Sequence, residues 1–320
     1  MAEKCYVGID TSNYTTSLAV ADEAGRVVAN LKLLLPVKEG GRGLRQSEAV
    51  FAHVKNLPVL MPQLERVLTD YAPAAVGVSV RPRDAEGSYM PCFLTGEVAA
   101  ESMAAGLHLP IHRFSHQSGH LAAALYSSGA TEALSGRSFG AFHVSGGTTE
   151  MLLVHPRNND FAVELVGGSA DLHAGQAVDR IGVALGLSFP CGPALEKLAA
   201  TNTKKIPKPR ISVKDGTCNL SGLENLALDL YKRTEDKVLT AAYVLAFLTE
   251  TLAAMSRFLR EKNGPLPLLF AGGVMSNRII ADGLRQRLGG DVYFAEPAFS
   301  ADNAAGIALL CRTRALESAD

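Results

Sequence analysis

YVGIDTSNYTTSLAV (residues 6 to 20) and FHVSGGTTEMLLV (residues 142 to 154) follow one plan: an apolar strand, a turn of small and hydroxyl residues, and a second strand. One lies near the start of each half of the chain, and together they predict an internal duplication. Two similar α/β domains built this way leave a cleft, and tight turns facing it can hold phosphates on their backbone N–H groups. Two unrelated β-hairpins would read the same way from these segments alone.

Outward from the first segment, Cys5 to Asp10, Ser17 to Ala21 and Val27 to Leu35 read as strands, with Thr11 to Thr16 a polar turn. Apolar residues then recur at helical spacing from Glu48 to about Tyr71, with Ser47 placed to cap the helix. Ala75 to Val80 is a strand, Thr95 to Ala105 a helix, Pro110 to Arg113 extended and Gln117 to Tyr126 a helix. The pattern then restarts, with strands at Phe139 to Ser145, Glu150 to His155 and Phe161 to Val166. Helices follow at Gly175 to Leu187, Pro193 to Ala200 and Glu235 to Lys262. The chain closes with Leu266 to Ala271 (strand), Ser276 to Leu288 (helix), Val292 to Ala295 (strand) and Ala301 to Leu316 (helix). The expected domains are 1–130 and 131–320, with the last helix available to pack back on the first. This is the plan of the actin-like ATPases and sugar kinases (the ASKHA fold).

Composition bounds the function. The 320 residues carry 31 Lys and Arg against 32 Asp and Glu, a net charge of −1, so no global field draws the chain to nucleic acid or to an anionic membrane. Five scattered cysteines with no CxxC argue against a disulfide scaffold and a zinc finger. The N-terminus has no signal-peptide core, and the apolar stretch Val238 to Leu248 is too short to span a bilayer. The expectation is a cytoplasmic protein with no membrane partner.

Several residues could carry chemistry. In HQSGH, His116 and His120 lie four apart, on one helix face, where they could share a metal or be ordinary capping histidines. The motif is not HExxH, which weakens a metalloprotease reading. His108 and His112 extend the spacing, but Pro110 breaks the stripe. VSGGTTE (144 to 150) suits a loop that hugs an anion, or a plain glycine-rich hairpin. LFAGGVMSNR (269 to 278) is a strand, a Gly-Gly turn and a helix opening at Ser276 or Asn277, across which a nucleotide could lie. Asp179 could bond a ribose hydroxyl or serve as an N-terminal helix charge, and Asp302 could be a metal ligand or an N-cap. KKIPKPR (204 to 210) is a local basic patch, either a solvated loop or an RNA-phosphate contact.

The order of these motifs is more specific than any one of them. HQSGH, VSGG, GQAVD, GLSFPCGPALEKLA, LSGL (220 to 223), AGGVMSNR and DNAAG, with GGRGLRQSEAVFAHV (40 to 54), resemble the TsaD family, also called Gcp and once described as a glycoprotease. The resemblance spans nearly the whole chain. It implies an actin-fold, ATP-utilising protein that moves a threonylcarbamoyl group from its adenylate to an adenosine of tRNA. It implies His116, His120 and Asp302 as ligands of one divalent metal, iron or zinc. It implies His143, Val144, Ser145, Gly146, Gly147, Asp179, Gly192 and Asn277 as the positions that bind ATP or the acyl-adenylate. tRNA would approach over Lys204, Lys205, Lys208 and Arg210, and the family's habit of assembling implies a paralogous actin-fold subunit or a homodimer.

The chain also departs from the family. Tyr14 and Thr15 stand where the first turn usually carries an acidic pair, which leaves the catalytic residues unassigned. RPRDAEG (81 to 87) replaces a Gly-Pro-Gly turn, Thr148 a histidine, Ser118 a glutamate and Leu172 an aspartate. These departures keep two alternatives open. One is a nucleotide-binding paralogue without transferase activity. The other is an ATP-dependent phospho- or carbamoyltransferase whose Arg81 and Arg83 pair with a small anionic substrate.

Overall fold

The computed structural model describes residues 2–12, 14–36, 44–158, 160–300 and 303–318. The elements in chain order are β1 (Glu3–Thr11), β2 (Thr15–Asp22), β3 (Val27–Leu34), α1 (Gln46–Val67), β4 (Tyr71–Arg81), α2 (Phe93–Leu107), β5 (Ile111–Ser115) and α3 (His116–Ser127). Next come α4 (Thr131–Leu134), β6 (Phe139–Val144), β7 (Thr149–Arg157), β8 (Asp160–Ser169), α5 (Ala174–Ala184), α6 (Gly192–Ala200), β9 (Val213–Lys214) and β10 (Thr217–Cys218). The chain ends with α7 (Ser221–Thr234), α8 (Lys237–Asn263), β11 (Leu268–Ala271), α9 (Arg278–Leu288), β12 (Val292–Phe294), α10 (Pro297–Ser300) and α11 (Ala305–Glu317). Contacts divide the chain into unit 1 (Met1–Tyr126, Pro156–Ala162, Ala301–Asp320) and unit 2 (Ser127–His155, Val163–Ser300).

Unit 1 is built on a five-stranded sheet of order β3-β2-β1-β4-β5. β1, β2 and β3 pair antiparallel, while β4 and β5 add on in parallel. The alternation of β1 sets the layers. Cys5, Val7 and Ile9 face Leu60 and Leu64 of α1 and Ala100 and Ala104 of α2. Tyr6 faces the other way, into a cluster with Ala75, Phe114, Ala122, Ile307 and Cys311. Each fully buried Val, Leu, Ile or Phe in these clusters contributes roughly 1.5–3 kcal/mol. Gly8 and Asp10 share the face of Tyr6. At Gly8 a Cβ would sit 2.5 Å from the Ala304 carbonyl oxygen and the Ala308 nitrogen, so α11 lies directly on the strand there.

Unit 2 has a seven-stranded sheet of order β12-β11-β6-β7-β8-β10-β9. Read from β8, the order 8-7-6-11-12 repeats the 3-2-1-4-5 of unit 1, which shows the duplication as topology. α8 is long and apolar enough by composition to cross a membrane, but 78% of its most apolar window is buried. Leu245, Phe247, Leu248 and Leu252 pack it into the core with α5, α6, α7 and α9.

Some boundaries differ from the sequence pattern. The first helix begins at Gln46, after Arg45 rather than at a Ser47 cap, and Glu48 accepts the Arg45 N–H. It ends at Val67, because Tyr71 pairs with Glu3 in the sheet. α7 and the short β9–β10 ribbon were not foreseen, and the helix expected from Ser276 begins at Arg278 after a 3₁₀ turn (Gly273–Ser276).

Candidate active site

In unit 2 three glycine turns meet. The turn after β6 closes with the Ser145 N–H donating to the Thr148 carbonyl at 2.7 Å, and the Ser145 carbonyl accepts the Gly175 N–H at 3.0 Å. That bond seats the turn on the first residues of α5. A Cβ on Gly175 would lie 2.6 Å from the Gly146 nitrogen, so a larger residue cannot make this contact. Gly272 has φ +104°, and its Cβ would fall 2.3 Å from the Val144 carbonyl oxygen. Only glycine adopts that backbone readily and fits that gap.

Three side chains brace the other walls. The Asp179 carboxylate of α5 accepts the Cys191 N–H at 2.8 Å and holds the start of α6 in place. Glu196 of α6 accepts the Arg278 N–H at 2.8 Å, and Asn277 caps α9 by accepting the Ile280 N–H at 3.1 Å. The result is a cavity of about 330 Å³. Val178, Leu245, Val274 and Ile280 supply apolar wall, and Asp179, Glu196 and Asn277 supply polar groups. Gly146, Gly192 and Gly273 line it as well, and a Cβ on any of them would meet nothing within 4 Å. Their bareness therefore keeps the cavity open. Gly175, Gly192 and Asn277 bring the first turns of α5, α6 and α9 to its edge, where helix N–H groups favour negative charge. Such a site can take a flat apolar ring, hydroxyls and an anionic group together.

Of the residues expected at a nucleotide, Gly146, Asp179, Gly192 and Asn277 line this cavity. His143 and Val144 lie in β6, where Val144 is a core residue, and Ser145 and Gly147 form the adjoining turn. Sequence reasoning missed Val178, Glu196, Leu245, Val274 and Ile280. Val178 and Glu196 lie within the quoted motifs, one residue before Asp179 and four after Gly192, so they could have been singled out. Leu245 lies in a uniformly apolar helix and could not.

In unit 1, His116 opens α3 beside Asp10 of β1. The His116 Nδ1 lies 2.7 Å from Asp10 Oδ2. Ser79 donates to the same oxygen at 2.7 Å, and the Ser12 N–H donates to Oδ1 at 3.0 Å. Asp10 is fully buried, whereas the His116 side chain keeps 19% of its surface exposed. The His116 and His120 rings meet edge-to-face with centroids 4.3 Å apart. Asp302 lies outside the described residues, and among the described residues no three His, Cys, Asp or Glu side chains form a metal cluster. The two histidines on one helix face, with a carboxylate behind one of them, nonetheless fit a metal site to which further ligands are added.

The positions that depart from the resembled motifs hold residues with other roles. Tyr14 is 45% exposed at the first turn, and Thr15 is buried in β2, so neither position offers an acid. Ser118 is buried in hydrogen-bond contact with Ser115, where a glutamate side chain would lack water. Leu172 has joined the unit 2 core. Asp171 survives as a clamp on the start of α7, accepting the Leu220 and Ser221 N–H groups and the Ser221 hydroxyl. Those donors outweigh its partial desolvation and hold its carboxyl down at about 2. Arg81 pairs with Asp84 at 2.6 Å, and Arg157 approaches the same carboxylate at 3.6 Å. In the basic loop Lys204 bonds Asp236 at 2.7 Å, while Lys205, Lys208 and Arg210 are exposed.

The fold defines the class: an actin-like ATPase architecture. It is similar over 99% of the chain, with a TM-score of 0.62 and 14% identity, to HypF of T. kodakarensis, of which it covers 48%. It matches component A of the (R)-2-hydroxyglutaryl-CoA dehydratase of Acidaminococcus fermentans at TM-score 0.56 and 17% identity, over 98% of this chain and 99% of that one. A ROK family glucokinase from Streptomyces griseus gives TM-score 0.51 and 17% identity, over 97% and 99% of the two chains.

The particular family is set by sequence. The profile of the TsaD family, described as tRNA N6-adenosine threonylcarbamoyltransferase, matches residues 49–309. A tRNA N6-adenosine threonylcarbamoyltransferase of Aromatoleum aromaticum is 30% identical, over 97% of this chain and 91% of that protein. The chain belongs to the TsaD family, a family of transferases.

Proposed function

We propose that this chain transfers a threonylcarbamoyl group from its adenylate to an adenosine of tRNA, with the adenylate held in the unit 2 cavity. The observation that carries the reading is the cavity itself, kept open by Gly146, Gly192 and Gly273 and edged by Asp179, Glu196 and Asn277. Val178, Val274 and Ile280 would flank the adenine. Asp179 and Glu196, each anchored by one backbone N–H, would keep lone pairs for the ribose hydroxyls. The Gly146 turn and the first turn of α5 would meet the phosphate through N–H groups.

His116 and His120 would hold a divalent metal, iron or zinc, joined by Asp302. When bound, such an ion polarises phosphate or carbonyl oxygens. tRNA would approach over Lys205, Lys208 and Arg210, with Lys204 tied to Asp236. A paralogous actin-fold subunit or a second copy would complete the assembly, in the cytoplasm. Phe51 and Val54 of α1 and Leu94 and Val98 of α2 are exposed apolar residues to which such a subunit could dock.

A second reading is a nucleotide-binding paralogue without transfer activity. The turn favours it, because half-exposed Tyr14 and buried Thr15 supply no carboxylate. The loss of a general acid or base removes about 10²–10⁴-fold in rate. Arg81, already met by Asp84, gives little support to a small anionic substrate. The test supplies threonylcarbamoyl-adenylate and tRNA to the purified chain, with and without the family's partner proteins from the same host. Modified adenosine carries the first reading. Adenylate bound with no modified tRNA under either condition carries the second.

A further inference from the structure

We propose that Asp10 is a positioning residue that fixes His116 with its proton on Nδ1, and so makes Nε2 the nitrogen that meets the metal. The inference rests on the metal reading given above and names the device that prepares the site.

Its basis is the arrangement behind the histidine. Asp10 lies on the β1 face turned toward α3 and α11, and its carboxylate is fully buried. A buried carboxylate needs donors. Among the described residues the donors include the Ser12 N–H on Oδ1 at 3.0 Å, the Ser79 hydroxyl on Oδ2 at 2.7 Å, and His116 Nδ1 on Oδ2 at 2.7 Å. An ionised carboxylate can only accept, so Nδ1 is the protonated nitrogen and Nε2 carries the lone pair. The Ser12 and Ser79 bonds hold the carboxylate itself, and its aim does not depend on the histidine. The edge-to-face contact with His120 limits the remaining freedom of the His116 ring. A metal-bound histidine ordinarily donates its other ring N–H to such a group, and loss of that partner weakens metal binding about 10–100-fold.

The test has two arms on the full chain. In the ¹⁵N-labelled wild type, long-range ¹H–¹⁵N correlations of the histidine rings, assigned with His116→Ala, report the His116 tautomer without metal. Zinc titration followed by calorimetry then compares the wild type with Asp10→Asn and His116→Ala, with cooperative thermal unfolding of the metal-free chains as the check of folding. The expected results are an Nδ1–H tautomer in the wild type and about 10–100-fold weaker zinc binding in Asp10→Asn. An Nε2–H tautomer in the wild type, or a folded Asp10→Asn chain with unchanged zinc affinity, overturns the role of Asp10 and leaves the metal reading intact. A wild-type chain that binds no zinc overturns the metal reading and this inference with it. Should Asp10→Asn fail to fold, the wild-type tautomer decides alone.

Discussion

His53 is fully buried under the sheet of unit 1, with Nδ1 2.8 Å from Thr16 Oγ1, which also accepts from the Asn56 amide at 3.0 Å. Burial lowers its pKa below the ordinary 6.5. Above about pH 6.5 both folded and unfolded chains hold the ring neutral, so its contribution is present in full. As pH falls below that value the unfolded chain binds a proton before the folded one does, and stability drops across the window. His53→Gln is expected to shrink the loss of Tm between pH 7 and pH 5, and to cost about 1 kcal/mol at pH 7 through the Thr16 contact. A drop in Tm as steep as wild type would contradict this. The cysteines offer a second check. All five are free and buried, and desolvation raises Cys5 to about 12 and Cys92 and Cys218 to about 11. Since the thiolate is the reactive form, the native chain should release almost no thiol signal to a disulfide reagent at pH 7, and all five on unfolding. The sequence showed that these thiols form no CxxC, but it could not show their depth.

α7 depends on Asp171 at its entry, because that carboxylate takes two backbone N–H groups and a hydroxyl there. Asp171→Ala is expected to lower stability by about 1–2 kcal/mol and to raise hydrogen exchange in the first turn of α7. Held at about 2, the Asp171 carboxyl stabilises the fold above the ordinary carboxylate value of 3.8, and this is lost as pH falls through about 2. At β1, Gly8→Val would drive a side chain into the α11 backbone, and a loss of about 3 kcal/mol or more is expected by urea unfolding. Most elements were legible because their apolar residues recur at two or at 3.6. α7 carries the same signal, with Leu223, Leu226, Ala227 and Leu230 at helical spacing, and was passed over although the pattern was there to read. The β9–β10 ribbon is two residues per strand, too short for any period. The end of α1 was misread because Leu68 and Tyr71 continue its pattern, while the pairing of Tyr71 with Glu3 overrides it.

The duplication is visible in both the sequence and the sheets, because each half spends its opening strands on the same three-strand meander and then adds two parallel strands. The motifs likewise led to the cavity: Gly146, Asp179, Gly192 and Asn277 come from segments far apart in sequence and line one space. Of the apolar wall the motifs contained Val178 and Val274 but not Leu245 and Ile280, which look like any core residue. The claim on which the function rests is that this cavity holds the adenylate. Gly192 and Gly273 lie outside the left-handed backbone region, and a side chain added at either would enter open space. Gly192→Leu and Gly273→Leu should therefore fold as wild type and fill the cavity. The decisive measurement is the affinity of these two variants and the wild type for threonylcarbamoyl-adenylate by calorimetry. Binding by the wild type, with at least about a tenfold loss in both variants at unchanged Tm, is the predicted result, equivalent to about 1.4 kcal/mol or more. Equal affinity in all three chains would contradict it and place the adenylate elsewhere.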